Sequence, residues 1–119
     1  MARILVVEDD NSLAMEMSWM VEDAGYSVVG PEGSVETARR VLARQRVDLA
    51  LLDVTLGRET VFPVSEILDR MGTPFIFVTG HSPSALPAQY RHRPLMRKPW
   101  RPQALMALIR QILGDPDLA

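Results

Sequence analysis

Arg3-Ile4-Leu5-Val6-Val7-Glu8-Asp9-Asp10 is the stretch that decides the fold. Its apolar part has no polar alternation, the pattern of a strand buried on both faces in the interior of a parallel sheet. It then stops abruptly at acids. Three later runs end in the same manner: Leu49-Ala50-Leu51-Leu52 at Asp53, Phe75-Ile76-Phe77-Val78 at Thr79, and Leu95-Met96 shortly before Lys98-Pro99. If these runs are neighbouring parallel strands, their carboxyl ends open onto one crevice, which is where open α/β sheets bind ligands. Three carboxylates, a hydroxyl and an ammonium then meet, a set suited to a divalent cation and a phosphoryl group.

Helical spacing fills the intervals between the runs. Leu13, Met17, Met20, Val21 and Ala24 share one face, with Gly25 as the stop. Residues 27–30 read as a short second strand, and Ser34 is placed to cap a helix that turns Ala38, Val41 and Leu42 inward. The third strand covers residues 47–53. A loop centred on Gly57 leads to a helix with Val64, Ile67, Leu68 and Met71 on one stripe, closed by Gly72. In residues 82–92, Pro83 and Pro87 lie so close together that only a truncated, mobile element is expected. Pro102 opens a final helix running to about Leu113, and the polar tail 114–119 is expected to fray. Strand followed by helix, five times, implies right-handed crossovers and an α/β fold: a doubly wound five-stranded parallel sheet with helices on both faces.

The chain has 119 residues, room for a single domain over 1–119 and none for a second, output domain. Apolar residues make up 47% and charged residues 24%, an ordinary globular balance that argues against disorder. Net charge is -2. Basic residues are scattered apart from Arg91, Arg93, Arg97, Lys98 and Arg101, which read as local charge balance beside the anion site rather than as a nucleic-acid face. The absence of cysteine excludes disulfides and thiolate metal sites. The first residues are too acidic for a signal peptide and no stretch is long enough to span a membrane, so a cytoplasmic location is expected, with no membrane partner.

Asp53, reachable only from the crevice, is the candidate nucleophile, because a carboxylate accepts a phosphoryl group as an acyl phosphate. Clustered carboxylates disfavour one another's ionisation, and a hard divalent cation relieves this. Mg²⁺ held by Asp10, Asp53, the backbone carbonyl at Thr55 and waters is the corresponding metal site. Asp10 or Asn11 is alternatively a helix cap; if Asp10 is a ligand, Asn11 or Ser12 takes the capping role. Lys98 offers a point charge and Thr79 a hydroxyl to the same group.

The set Glu8-Asp9-Asp10, Asp53, Thr79 and Lys98-Pro99 resembles the receiver domain of two-component response regulators over nearly the whole chain. The resemblance implies a flavodoxin-like sheet of order 2-1-3-4-5 and a Lys98-Pro99 peptide that is often cis. It further implies that Asp53 receives phosphate from a histidine kinase or histidine phosphotransfer protein, with Mg²⁺ at Asp9 and Asp10. Residues 74–81, Pro-Phe-Ile-Phe-Val-Thr-Gly-His, look like the signature of single-domain regulators named for Phe-Ala-Thr-Gly, with Val78 in place of Ala. Gly57 stands where receivers usually have Pro, and Leu95 where most keep an aromatic switch residue. A mobile 82–92 segment is then expected to serve as the bistable element. Thr55 and His81 occupy positions that in receivers flank the phosphoryl group and modulate its lifetime. Met15 and Trp19, opposite the core stripe of the first helix, form a candidate docking patch, and Trp100 a candidate second one. The expected protein is a stand-alone phosphoacceptor, not an enzyme, acting as a monomer or weak homodimer through a downstream protein target. Alternatives are a receiver-like adaptor that is never phosphorylated, and a phosphatase-like hydrolase, in which Thr55 would replace the usual second Asp.

Overall fold

The unbroken apolarity of residues 4–7 is explained by what covers each face of the strand. In the computed structural model, which describes residues 1–114, strand β1 (Arg3–Val7) sends Ile4 and Val6 to one side and Leu5 and Val7 to the other, and all four are fully buried. The first side is covered by α1 (Asn11–Asp23) and α4 (Pro102–Leu113), the second by α2 (Val35–Arg44) and α3 (Phe62–Met71). The central strands β3 (Leu49–Asp53) and β6 (Phe75–Thr79) repeat the alternation. Leu49, Leu51, Ile76 and Val78 join the α1/α4 core; Ala50, Leu52, Phe75 and Phe77 join the α2/α3 core. Two-sided burial of this kind removes the polar half of the period-2 pattern.

With β2 (Ser27–Glu32) and β7 (Leu95–Arg97) at the edges, the five strands pair in parallel in the order β2-β1-β3-β6-β7. This is the expected 2-1-3-4-5 order, once a two-residue antiparallel hairpin, β4 (Thr55–Leu56) with β5 (Glu59–Thr60), is set apart from the sheet. Ser34 caps α2 by accepting the Thr37 amide, and Gly72 ends α3 at φ 73, where only glycine is unstrained. Both the Lys98-Pro99 and Gly30-Pro31 peptides are cis.

The structure departs from the sequence expectations in the second strand and at Met71, and it keeps the element between β6 and β7 as short as Pro83 and Pro87 predict. The second strand does not stop at Gly30 but continues to Glu32, with a register shift between Leu5 and Val7; its edge position tolerates Pro31, which has no amide to give. Met71 is not on the inward stripe of α3. It is 46% exposed and lines an open groove with Val47, Thr73 and Pro74, while Val64, Ser65 and Leu68 are buried. No fifth α-helix forms between β6 and β7: Pro83 and Pro87 leave two single-turn 3₁₀ helices, Pro83–Ala85 and Ala88–Tyr90. Residues 115–119 of the polar tail lie outside the described residues. Among the described residues no helix is long and apolar enough to cross a membrane.

An aromatic anchor takes the place of the missing helix. Tyr90, almost fully buried, stacks on Phe62 at 5.5 Å and meets Phe75 and Phe77 edge-on at 6.2 and 5.4 Å. Arg93 lies over Phe75 at 5.1 Å and forms a two-pronged pair with Asp69 of α3, at 2.9 and 3.0 Å. Tyr90→Ala removes the ring at the centre of this cluster and is expected to destabilise the fold by about 3 kcal/mol. Tyr90→Phe, which keeps the ring, is expected to change stability by less than about 1 kcal/mol; urea denaturation of the two variants measures both.

Candidate functional site

Pleat parity selects which polar residues meet at the strand tips. Val7 pairs with Leu52, so the next residues, Glu8 and Asp53, leave the sheet side by side, both on the parity of the α1/α4 face. Lys98 continues the parity of Met96, which lies on that same face, and its amide donates to the Thr79 carbonyl at 2.8 Å. The Lys98 ammonium then lies 3.2 Å from Glu8 Oε1 and 3.3 Å from Asp53 Oδ2. Glu8, Asp53 and Thr79 are all buried.

The carboxylates that gather are Glu8, Asp9 and Asp53, whose oxygens lie within 4.8 Å of one another. Asp10, expected as a metal ligand, is not brought into this group: its Oδ1 accepts the Leu13 amide at 3.1 Å and caps α1. The physical reason is that Asp10 stands three residues before Leu13, at the N-cap, whose side chain turns to the orphan amides of the first turn. Neither Asn11 nor Ser12 is the cap; both lie inside the helix. Glu8 supplies the acid that Asp10 does not.

Burial pushes the Glu8 carboxyl from 4.5 up to about 8, reinforced by a hydrogen bond and charge repulsion from Asp53 and opposed by Lys98. For Lys98, burial opposes the charge, but Asp53 and Glu8 prevail and raise its pKa. The unliganded cluster thus retains a proton at neutral pH. An all-oxygen donor set with this charge fits a hard divalent cation such as Mg²⁺, which would take over the charge balance from that proton.

The β4–β5 hairpin borders the cluster. Its two-residue turn begins at Gly57 with φ 61, the position that a type II′ turn reserves for glycine, and the Gly57 amide donates to Asp9 Oδ2 at 3.0 Å. Thr55 sits in β4 and is exposed. On the other arm, Glu59 Oε2 accepts the Val35 amide at the start of α2, at 3.1 Å. Thr79 Oγ1 accepts the His81 amide at 3.1 Å, and the His81 residue is exposed. Leu95, paired with Phe77, is half-buried against the α2/α3 core.

Of the basic cluster, Lys98 reaches the acids. Arg93 instead binds Asp69, and Arg91 donates to the Leu86 carbonyl at 3.0 Å, so the expected charge balance beside the anion site is not their role. Met15 and Trp19 are 48% and 57% exposed, as expected of a patch opposite the core stripe. Trp100 is half-buried against the α1/α4 core and lines a groove of about 580 Å³ with Leu13, Glu16, Lys98 and Pro102.

Residues 4–110 match the response regulator receiver domain family. This chain belongs to that family. Among relatives, it is 30% identical over 115 residues to the phyllosphere-induced regulator PhyR of Methylorubrum extorquens, covering 92% of this chain and 43% of the relative. It is 27% identical over 108 residues to the transcriptional regulatory protein PdtaR of Mycobacterium tuberculosis, covering 90% of this chain and 53% of the relative. The chain therefore spans about half the length of these curated relatives. The solution structure of SdrG from Sphingomonas melonis Fr1 superposes with a TM-score of 0.83 at 32% identity, covering 95% of this chain and 97% of that one. Receiver domains are signalling domains, and the two-component family and flavodoxin-like fold expected from the sequence are both borne out.

The Glu8 carboxyl gives the receiver domain a pH dependence with a definite sign. Between 4.5 and about 8 the folded state holds a proton that the unfolded chain has released, so stability falls as pH rises through that window. Glu8→Gln, which cannot lose a proton, is expected to flatten the profile and to melt on the order of 5 °C higher than wild type at pH 8.5 in chelator; thermal melts from pH 5 to 9 measure it.

Proposed function

We propose that this receiver domain accepts a phosphoryl group on Asp53 from a phosphohistidine of a histidine kinase or histidine phosphotransfer protein. The observation that carries this reading is the Lys98 ammonium held between Asp53 and Glu8 at the carboxyl ends of the strands. Asp53 attacks phosphorus as the P–N bond breaks, and the electron pair leaves on the imidazole nitrogen of the donor. The Lys98 ammonium and the Thr79 hydroxyl are the groups that would hold phosphoryl oxygens. Glu8, Asp9, Asp53 and the Thr55 carbonyl would hold Mg²⁺, which when bound neutralises charge on the transferring group. Asp10 is assigned to the helix cap rather than to the metal.

Thr55 and His81 flank the acceptor and bear on phosphoryl lifetime. Met15 and Trp19, with the groove beside Trp100, form the surface that would receive the donor, because that groove reaches the acceptor's own Lys98. Leu95 lies against the aromatic core where most receivers keep an aromatic switch, which leaves the connection from Thr79 to β7 to carry the signal to a downstream protein. The proposed role is that of a single-domain regulator working in the cytoplasm through protein–protein contacts.

Acetyl phosphate with Mg²⁺ is expected to shift the wild-type protein on a phosphate-affinity gel, with no shift for Asp53→Asn and a reduced yield for Lys98→Ala. A shift that persists in Asp53→Asn would place the acceptor elsewhere.

A further inference from the structure

Glu59 is exposed, carries no expected role, and lies on the arm of the hairpin away from the acids, yet it makes a long-range hydrogen bond. Its Oε2 accepts the Val35 amide, one of the donors that α2 leaves without a helical partner. The neighbouring cap residue, Ser34, already serves the Thr37 amide, so Glu59 completes the cap from a different segment of the chain. The hairpin is closed at its base by the Val61 amide on the Val54 carbonyl, at 3.0 Å, and rooted by the buried Leu56. Its tip is tied on two sides: Gly57 to Asp9, and Glu59 to Val35.

We infer that Glu59 is a positioning residue for the divalent-cation site. By tying the hairpin to α2, it fixes the Gly57 amide against Asp9 and steadies the strand that carries Thr55. The inference rests on the proposed cation site and deepens it. Asp9 is the exposed member of the acid cluster, so unlike Glu8 and Asp53 it is not held by surrounding core. A hydrogen bond to one carboxylate oxygen orients the other, as partners of metal ligands do generally. The donor exists because residue 57 is glycine: proline there would have no amide proton and could not adopt φ 61. Glu59 pairs with Leu56 across the hairpin, directly beside the turn that presents this amide, so its bond to α2 constrains the turn itself.

The test is calorimetric titration of Mg²⁺ alone into wild type, Glu59→Ala and Glu59→Gln, alongside Asp53→Asn, with amide hydrogen exchange at Gly57 followed by NMR. Glu59→Ala removes the acceptor, and Glu59→Gln keeps a carbonyl acceptor without the charge. Expected are an affinity about three- to tenfold lower and faster Gly57 exchange in Glu59→Ala, with Glu59→Gln close to wild type in both. Equal weakening in both variants would show that Glu59 acts only as a distant negative charge, and unchanged affinity in Glu59→Ala would show no role; either overturns the inference. Failure of the cation-site reading looks different: wild type itself would bind no Mg²⁺, or would bind it no better than Asp53→Asn.

Discussion

Two carboxylates that leave neighbouring strands side by side would repel one another in a buried crevice, and the Lys98 ammonium between Glu8 and Asp53 is the interaction that lets them stay there. Burying a charge is strongly unfavourable unless a partner compensates it. The partner is brought from β7, two strands away from the tip of β3 that carries Asp53, and its amide is fixed on the carbonyl of Thr79. The site therefore exists only when the whole sheet is assembled in order. Burial first, and then Asp53 beside it, keep the proton on Glu8 far above the usual carboxylate range, and Lys98 offsets them only in part.

Around that pair the chain departs from the common receiver pattern in a consistent direction. Glycine replaces the usual proline at 57 and supplies an amide to Asp9, and the loop after Asp53 folds into a hairpin with its own contact to α2. Leucine replaces the usual aromatic at 95, and the aromatic ring that fills the neighbouring core comes from Tyr90 instead. Lys98 reaches Asp53, the acid beside them is Glu8 rather than the expected Asp10, and the segments that border them differ from the common pattern.

The two buried faces and the Asp53–Lys98 meeting were legible because uninterrupted apolar runs have few structural interpretations, whereas the strand order came from the family resemblance. The identity of the second acid was less so. Glu8-Asp9-Asp10 shows three consecutive carboxylates, and reading from the end of the run assigns the pocket to Asp9 and Asp10. Counting by twos from Ile4 and Val6, and from Leu49 and Leu51, pairs Glu8 with Asp53; Asp10 three residues before Leu13 is a cap signal. Both clues were in the sequence. The hairpin was hidden because four residues, Thr55, Leu56, Glu59 and Thr60, are too few for a periodicity to emerge. The proline-broken stretch announced that no ordinary helix would form, but the burial of Tyr90 depends on Phe62, Phe75 and Phe77 converging from distant positions, which no local pattern records.

The connection from β6 to β7 is held most firmly at its extremities, with one buried side chain between them. Its first end is tied by the His81 amide on the Thr79 hydroxyl oxygen; its far end is nailed down by Tyr90 in the aromatic core and by Arg93 on Asp69. Between those moorings Leu86 is the buried side chain, and the backbone turns twice in single 3₁₀ loops. Such a span works like a cord with fixed posts: a pull on the threonine hydroxyl would be met first by residues 82–89, which lie between the two moorings.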